Sequence, residues 1–206
     1  MKPAGFNEIL RDRQLNIDTT GRDETHSDEH HSPYEPTPYC VLDRMIDRGI
    51  FDDVSYLIDF GCGKGRVSLY LACRCGLNTT GIEKEPVFYK AALKNLSACV
   101  KKGPVRFENG LAENHAIPEE ADAFFFFRPF SGAILKRVLK NILVSYYDRP
   151  RRMKLIFYYV TPEYISCLDD HPEFQLIHDI DCRDLFNSKD AKDRIMLYQT
   201  APKISG

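Results

Sequence analysis

From Ser55 onward the chain alternates short apolar runs with helix-periodic stretches, and this rhythm restricts its fold more than any other feature. Residues 56–60 read as a buried strand, and residues 66–75 as a helix closed by Gly76. A short strand over 79–82 precedes a helix over 85–102. Pro86 sits in the first turn of that helix, and Lys101-Lys102-Gly103 at its end complement the dipole and supply a left-handed residue. Residues 105–107 and 123–127 read as third and fourth strands. The four phenylalanines 124–127 call for a strand buried on both faces. A long amphipathic helix follows, with apolar residues at 134, 135, 138, 139, 142, 143 and 146. A fifth strand spans 155–160. Two more, 174–180 and 194–200, lack a convincing long helix between them and read as a terminal antiparallel pair. Strands separated by helices imply parallel βαβ units with right-handed crossovers, hence an α/β, Rossmann-like three-layer sandwich.

The first strand runs into Asp59-Phe-Gly-Cys-Gly-Lys-Gly65, which opens the next helix. Gly61, Cys62, Gly63 and Gly65 form a loop in which glycines let the backbone approach a ligand, and a helix N-terminus offers free N–H groups. In open α/β sheets ligands bind at this carboxyl edge. Glu83 follows 22 positions after Gly61, at the end of the second strand, where a carboxylate can take both ribose hydroxyls of a nucleoside. Arg66 replaces the spacing of the dinucleotide fingerprint, so the loop reads G-x-G-x-G. Asp59 would repel a pyrophosphate but accept from an ammonium. Both points favour a sulfonium nucleoside over a nicotinamide dinucleotide.

Residues 57–66 resemble motif I of the class I S-adenosylmethionine-dependent methyltransferases, and Gly81-Ile-Glu83 resembles the acidic motif that follows it. The resemblance covers roughly residues 34–200. It implies a mostly parallel seven-stranded sheet with an antiparallel last strand, and S-adenosylmethionine as cofactor. By analogy Asp59 and the loop hold the methionine portion, Glu83 holds the ribose, and Ala112-Glu113 lies near the adenine, with Glu108 a competing carboxylate. Phe127-Arg128-Pro129-Phe130 falls where amine-methylating members carry Asn-Pro-Pro-aromatic. Arg128 cannot accept a hydrogen bond, so it is a candidate for positioning an acceptor through an oxygen instead. The competing readings are a nicotinamide-dependent oxidoreductase and a non-catalytic module of the same fold.

The remaining features bear on organisation and partners. Residues 1–32 are rich in charge, Thr and His without sustained periodicity and read as an irregular polar arm; residues 33–206 form the cofactor-binding domain. Thr37 is a plausible cap and Gly49 a stop for a helix around Val41–Ile46. The stiff segment 34–39, with its prolines, is a candidate cover for the cofactor or a rigid connector. His26, His30 and His31 read as part of a solvated arm rather than a metal site. The formal charge of −2 excludes a wholly basic surface, although Arg149, Arg151 and Arg152 offer a local patch for RNA or phosphate. Seven cysteines, mostly in apolar segments such as Cys40, Cys62, Cys99 and Cys167, suit a reducing cytoplasm. No apolar run reaches the roughly 18 residues of a membrane helix, and the first fifteen residues lack a signal-peptide core.

Overall fold

A computed structural model describes residues 4–26, 28–100 and 103–200. The elements run α1 (Ala4–Leu15), α2 (Tyr39–Asp47), β1 (Tyr56–Phe60), α3 (Arg66–Cys75), β2 (Asn78–Glu83) and α4 (Pro86–Ala98). They continue with β3 (Val105–Asn109), β4 (Ala123–Phe126), α5 (Gly132–Asp148), β5 (Lys154–Tyr158), α6 (Pro162–Asp169), β6 (Phe174–Asp181), α7 (Arg183–Phe186) and β7 (Arg194–Thr200). The strands form one sheet in the order β3-β2-β1-β4-β5-β7-β6. β7 runs antiparallel to both its neighbours, and the other pairings are parallel. This is the Rossmann-like sandwich with a reversed last strand that the sequence implies.

Period-two alternation fills both faces of the sheet. Leu57, Ala123, Phe125 and Ile156 belong to one apolar cluster; Ile58, Phe124, Phe126 and Leu155 belong to the other. The second face carries the apolar stripe of α5, each of whose seven expected core positions is buried. Phe60, Phe126 and Phe157 stack across three adjacent strands, with centroids 5.2 and 4.7 Å apart. Such cross-strand pairs lock the register that brings the tips of β1, β4 and β5 together.

Several boundaries differ from the sequence reading. The N-terminal arm is irregular only in part, because residues 4–15 are helical. Its inward face is polar: Glu8, Arg11, Asp12 and Leu15 share the i, i+3, i+4, i+7 spacing, so no apolar stripe announces the helix. Thr37 does not cap α2; the cap position is Pro38, and the Thr37 carbonyl accepts from Arg66. α4 ends at Ala98, Gly103 is not left-handed, and Lys101 and Lys102 lie outside the described residues. Cys62, Cys99 and Cys167 are buried as expected, whereas Cys40 is half-buried. Among the described residues no helix is long and apolar enough to cross a membrane.

Candidate cofactor cleft

β1 delivers the chain to a loop held by the end of β2. The N–H groups of Gly61 and Cys62 both donate to the Ile82 carbonyl, at 2.9 and 3.1 Å. The next N–H, Gly63, donates to the Glu83 carboxylate at 2.8 Å, and the other oxygen of that carboxylate accepts from the Glu85 N–H at 2.8 Å. Glu83 is therefore fixed by backbone donors rather than by a cation. Burial pushes its carboxyl above the usual range, against those same donors. Asp59 is 2% exposed and accepts from Ser68, both from its hydroxyl at 2.9 Å and from its backbone N–H. Burial raises its carboxyl to about 7, and the charge of Glu83 adds to the effect. No cation among the described residues lies within ion-pair distance of either carboxylate. Two buried acids at one cleft without a counter-charge form an electrostatic demand for hydrogen-bond donors and positive charge.

One cleft gathers most of the expected site. Asp59, Gly61, Cys62 and Gly63 line it from the loop, Glu83 from β2, and Ala112 and Glu113 from the turn after β3. Arg128 reaches the same cleft from the end of β4. Gly65 does not line it; with φ +87° it is the left-handed cap of α3, and a Cβ there would overlap the Phe107 ring. Gly61 and Gly63 are also left-handed, at +73° and +56°, but their missing side chains face protein rather than ligand. A Cβ on Gly61 would run into Pro129, and one on Gly63 into the Tyr34 ring. The loop glycines are thus required by backbone conformation and by close packing of the cleft's own walls.

The two carboxylates that follow β3's core differ in their partners. Glu108 is half-exposed and pairs with His115 at 3.3 Å. Glu113 places one oxygen 2.9 Å from Arg137 and keeps the other, Oε2, buried without a hydrogen-bond partner. Glu113 is the one with spare acceptor capacity beside the cleft. Arg137, not Arg128, takes the ion pair.

The remaining wall comes from residues 19–26 and 28–37, a strap folded over the loop. Tyr34 is buried against Gly63, donates its hydroxyl to the Thr19 carbonyl and packs 4.7 Å from Phe88. Tyr34, Pro36 and Thr37 all line the cleft, which makes the proline-rich segment a wall and not only a connector. Two of the histidines latch this strap, while His30 is exposed. His26 meets the Phe88 ring edge-on at 5.3 Å, and His31 pairs with Asp28 at 2.8 Å. Asp28 also holds Lys84 at 2.7 Å, and these partners keep its carboxyl far below the usual range. Among the described residues no group of three or more His, Cys, Asp or Glu is arranged to hold a metal.

The strap is anchored by Arg66, the residue that breaks the dinucleotide spacing. Its side chain is 3% exposed and spans from the first turn of α3 to α1. It donates to Thr19 at 2.6 Å and to the Thr37 carbonyl at 3.2 Å, pairs with Glu8 and Asp12, and lies 4.4 Å over the Tyr39 ring. Asp12 in turn accepts from the Tyr39 hydroxyl at 2.6 Å.

The basic cluster is elsewhere. Arg152 and Lys154 pair with Asp53, at the start of β5 and the opposite end of the strands from the cleft. Arg149 faces Glu119 at 3.3 Å. Arg151 donates to the carbonyls of Ala121, Ser145 and Pro118, stapling the loop before β4. Their charges have partners within the chain.

No protein-family model matches the sequence, and no curated protein does. Solved structures do match in fold. An RNA methyltransferase from Salinibacter ruber, in complex with S-adenosyl-L-homocysteine, aligns over 84% of this chain and 97% of its own at 20% identity, TM-score 0.56. A TehB-like SAM-dependent methyltransferase from Corynebacterium glutamicum aligns over 98% of this chain and its entire length, at 17% identity and TM-score 0.54. A magnesium protoporphyrin IX methyltransferase from Synechocystis with bound SAH covers 79% and 81%, at 13% identity and TM-score 0.55. The chain has the fold of the class I methyltransferases.

Proposed function

We propose that this chain is an S-adenosylmethionine-dependent methyltransferase whose cofactor lies in the cleft between the motif I loop and the strap. The observation that carries this reading is the pair of buried, cation-free carboxylates, Asp59 and Glu83, at the tips of β1 and β2. Ammonium and ribose hydroxyls are donors that such acids need, whereas a pyrophosphate is an anion that Asp59 would repel. Glu113 adds an acceptor with a buried oxygen lacking a partner, suited to an exocyclic amine.

When bound, S-adenosylmethionine supplies a methyl group already activated by its sulfonium charge. The residues of this chain therefore have no electrophile to activate, and their task is to align donor and acceptor. Asp59 holds an ammonium, Glu83 orients a ribose, and Tyr34 with Phe88 excludes water from one side. Glu83 also couples cofactor site to loop shape, because the carboxylate that would accept ribose hydroxyls already accepts the Gly63 N–H. We place the enzyme in the cytoplasm, where the buried thiols of Cys62, Cys167 and Cys182 stay reduced.

A thermal-shift comparison tests the reading. S-adenosylhomocysteine at about 100 times its dissociation constant should stabilise the protein by about 2.7 kcal/mol, while NAD and NADP leave the melting temperature unchanged. Stabilisation by NAD and not by S-adenosylhomocysteine would assign the cleft to a dinucleotide.

A further inference from the structure

Beside the cofactor cleft lies a second chamber that shares Glu35, Phe127 and Arg128 with it. Tyr159 and Phe186, both partly exposed aromatic side chains, line its far side. We infer that this chamber takes the methyl acceptor and that the acceptor is an aromatic anion, its carboxylate or phosphate held by Arg128. The inference rests on the reading of the first cleft as the cofactor site.

Three observations support it. Arg128 has no carboxylate within ion-pair distance among the described residues, while each other charge around the chamber has a polar partner. Arg22 pairs with Glu24 at 3.1 Å and Glu35 at 3.8 Å, Lys192 faces Asp190 at 3.6 Å, and Asp193 accepts from the Tyr158 hydroxyl at 3.5 Å. The guanidinium is aimed rather than adrift: it lies 5.1 Å over the Tyr159 ring, whose hydroxyl donates to Asp190 at 2.6 Å.

The backbone at this point is also strained in a specific way. Arg128 and Tyr159 follow the ends of two adjacent strands, β4 and β5, and both are left-handed, at φ +41° and +58°. Non-glycine residues in that region cost on the order of 1–2 kcal/mol, and such strain collects where side chains must be aimed. Here it sets a cation and an aromatic face side by side at the mouth of the chamber.

Finally, the two carbonyls that follow Arg128 already have donors. Pro129 accepts from the Ser32 N–H at 3.2 Å, and Phe130 accepts from the Tyr164 hydroxyl at 2.6 Å. A guanidinium fork beside aromatic walls suits a planar oxyanion. The anion is the handle and not the methylated atom, since guanidinium hydrogen bonds draw electron density from the oxygens they hold.

Benzoate, phenyl phosphate and benzylamine, titrated into the protein with and without saturating S-adenosylhomocysteine, test this, with binding read by ligand-observed NMR. At least one of the two anions should bind and benzylamine should not; which anion binds more tightly distinguishes carboxylate from phosphate. Arg128→Asn suits the left-handed backbone and should weaken the anion by roughly 10- to 100-fold while leaving S-adenosylhomocysteine affinity within about twofold. Arg128→Lys, which keeps the charge but not the fork, should fall between. Failure of both anions to bind, equal binding of benzylamine, or anion binding indifferent to Arg128→Asn would overturn the inference. Loss of S-adenosylhomocysteine binding alone, with the anion still held through Arg128, would overturn the cofactor reading and leave the anion site standing.

Discussion

Replacing Arg66 with methionine should destabilise the protein by about 3–5 kcal/mol and lower its melting temperature by roughly 6–20 °C. The substitution keeps the apolar stem and removes the guanidinium, leaving Asp12 buried beside Glu8 with no cation between them. The Thr37 carbonyl loses a donor in the same step. Thr19 and Thr37 belong to the strap and Glu8 and Asp12 to α1, so the lost contacts free both from the motif I helix. Arg66→Lys should lose less, because it restores the charge without the fork. Urea and thermal melts measure both variants. A shift below about 2 °C for Arg66→Met would mean that α1 is held by something other than this network.

Cofactor affinity should depend on pH through Asp59. Burial raises this carboxyl to about 7, so near pH 5 it carries a proton and cannot pair with an ammonium. Binding an ammonium requires the carboxylate, and the required deprotonation costs more as the pH falls. The dissociation constant of S-adenosylhomocysteine should therefore improve by up to about tenfold per pH unit from pH 5 towards 7 and level off above it. The effect on stability has the opposite sign. Between the unfolded carboxyl's value near 4 and the folded value of about 7, the native state holds a proton that the unfolded state has released. Rising pH across that window therefore lowers the stability that Asp59 contributes to the unliganded protein. The control is Asp59→Asn. That variant should bind weakly at every pH with the slope removed; an unchanged slope would show that Asp59 does not set it.

How much of this was legible in the sequence depended on what each element is made of. The sheet, α5 and the Asp59–Glu83 spacing could be read because apolar periodicity and glycine placement fix them locally. The β5–β6 connection hid α6, a helix of eight residues in which Tyr164, Cys167 and Leu168 are buried. α1 escaped because its docking face is ionic: Glu8, Arg11 and Asp12 find Arg66 and Asp43, residues far away along the chain. The same blindness to distant partners hid the contacts of Arg149, Arg151 and Arg152 with Glu119, four backbone carbonyls and Asp53. The loop glycines lie between β1 and α3 as read, but Gly65 stays outside the cleft. Their conformation could be anticipated, but Tyr34 and Pro129 as the atoms behind them could not.

Glu83 carries the central claim, since it ties the loop to β2 and faces the cleft where a ribose would lie. Calorimetric titration of S-adenosylhomocysteine into the wild-type protein and Glu83→Ala measures it directly. The account predicts one saturable site in the wild type and a loss of about 1–3 kcal/mol of binding free energy in the variant, the value of charge-assisted hydrogen bonds to a carboxylate. Undiminished affinity in Glu83→Ala, or no binding of S-adenosylhomocysteine by the wild type, would contradict it.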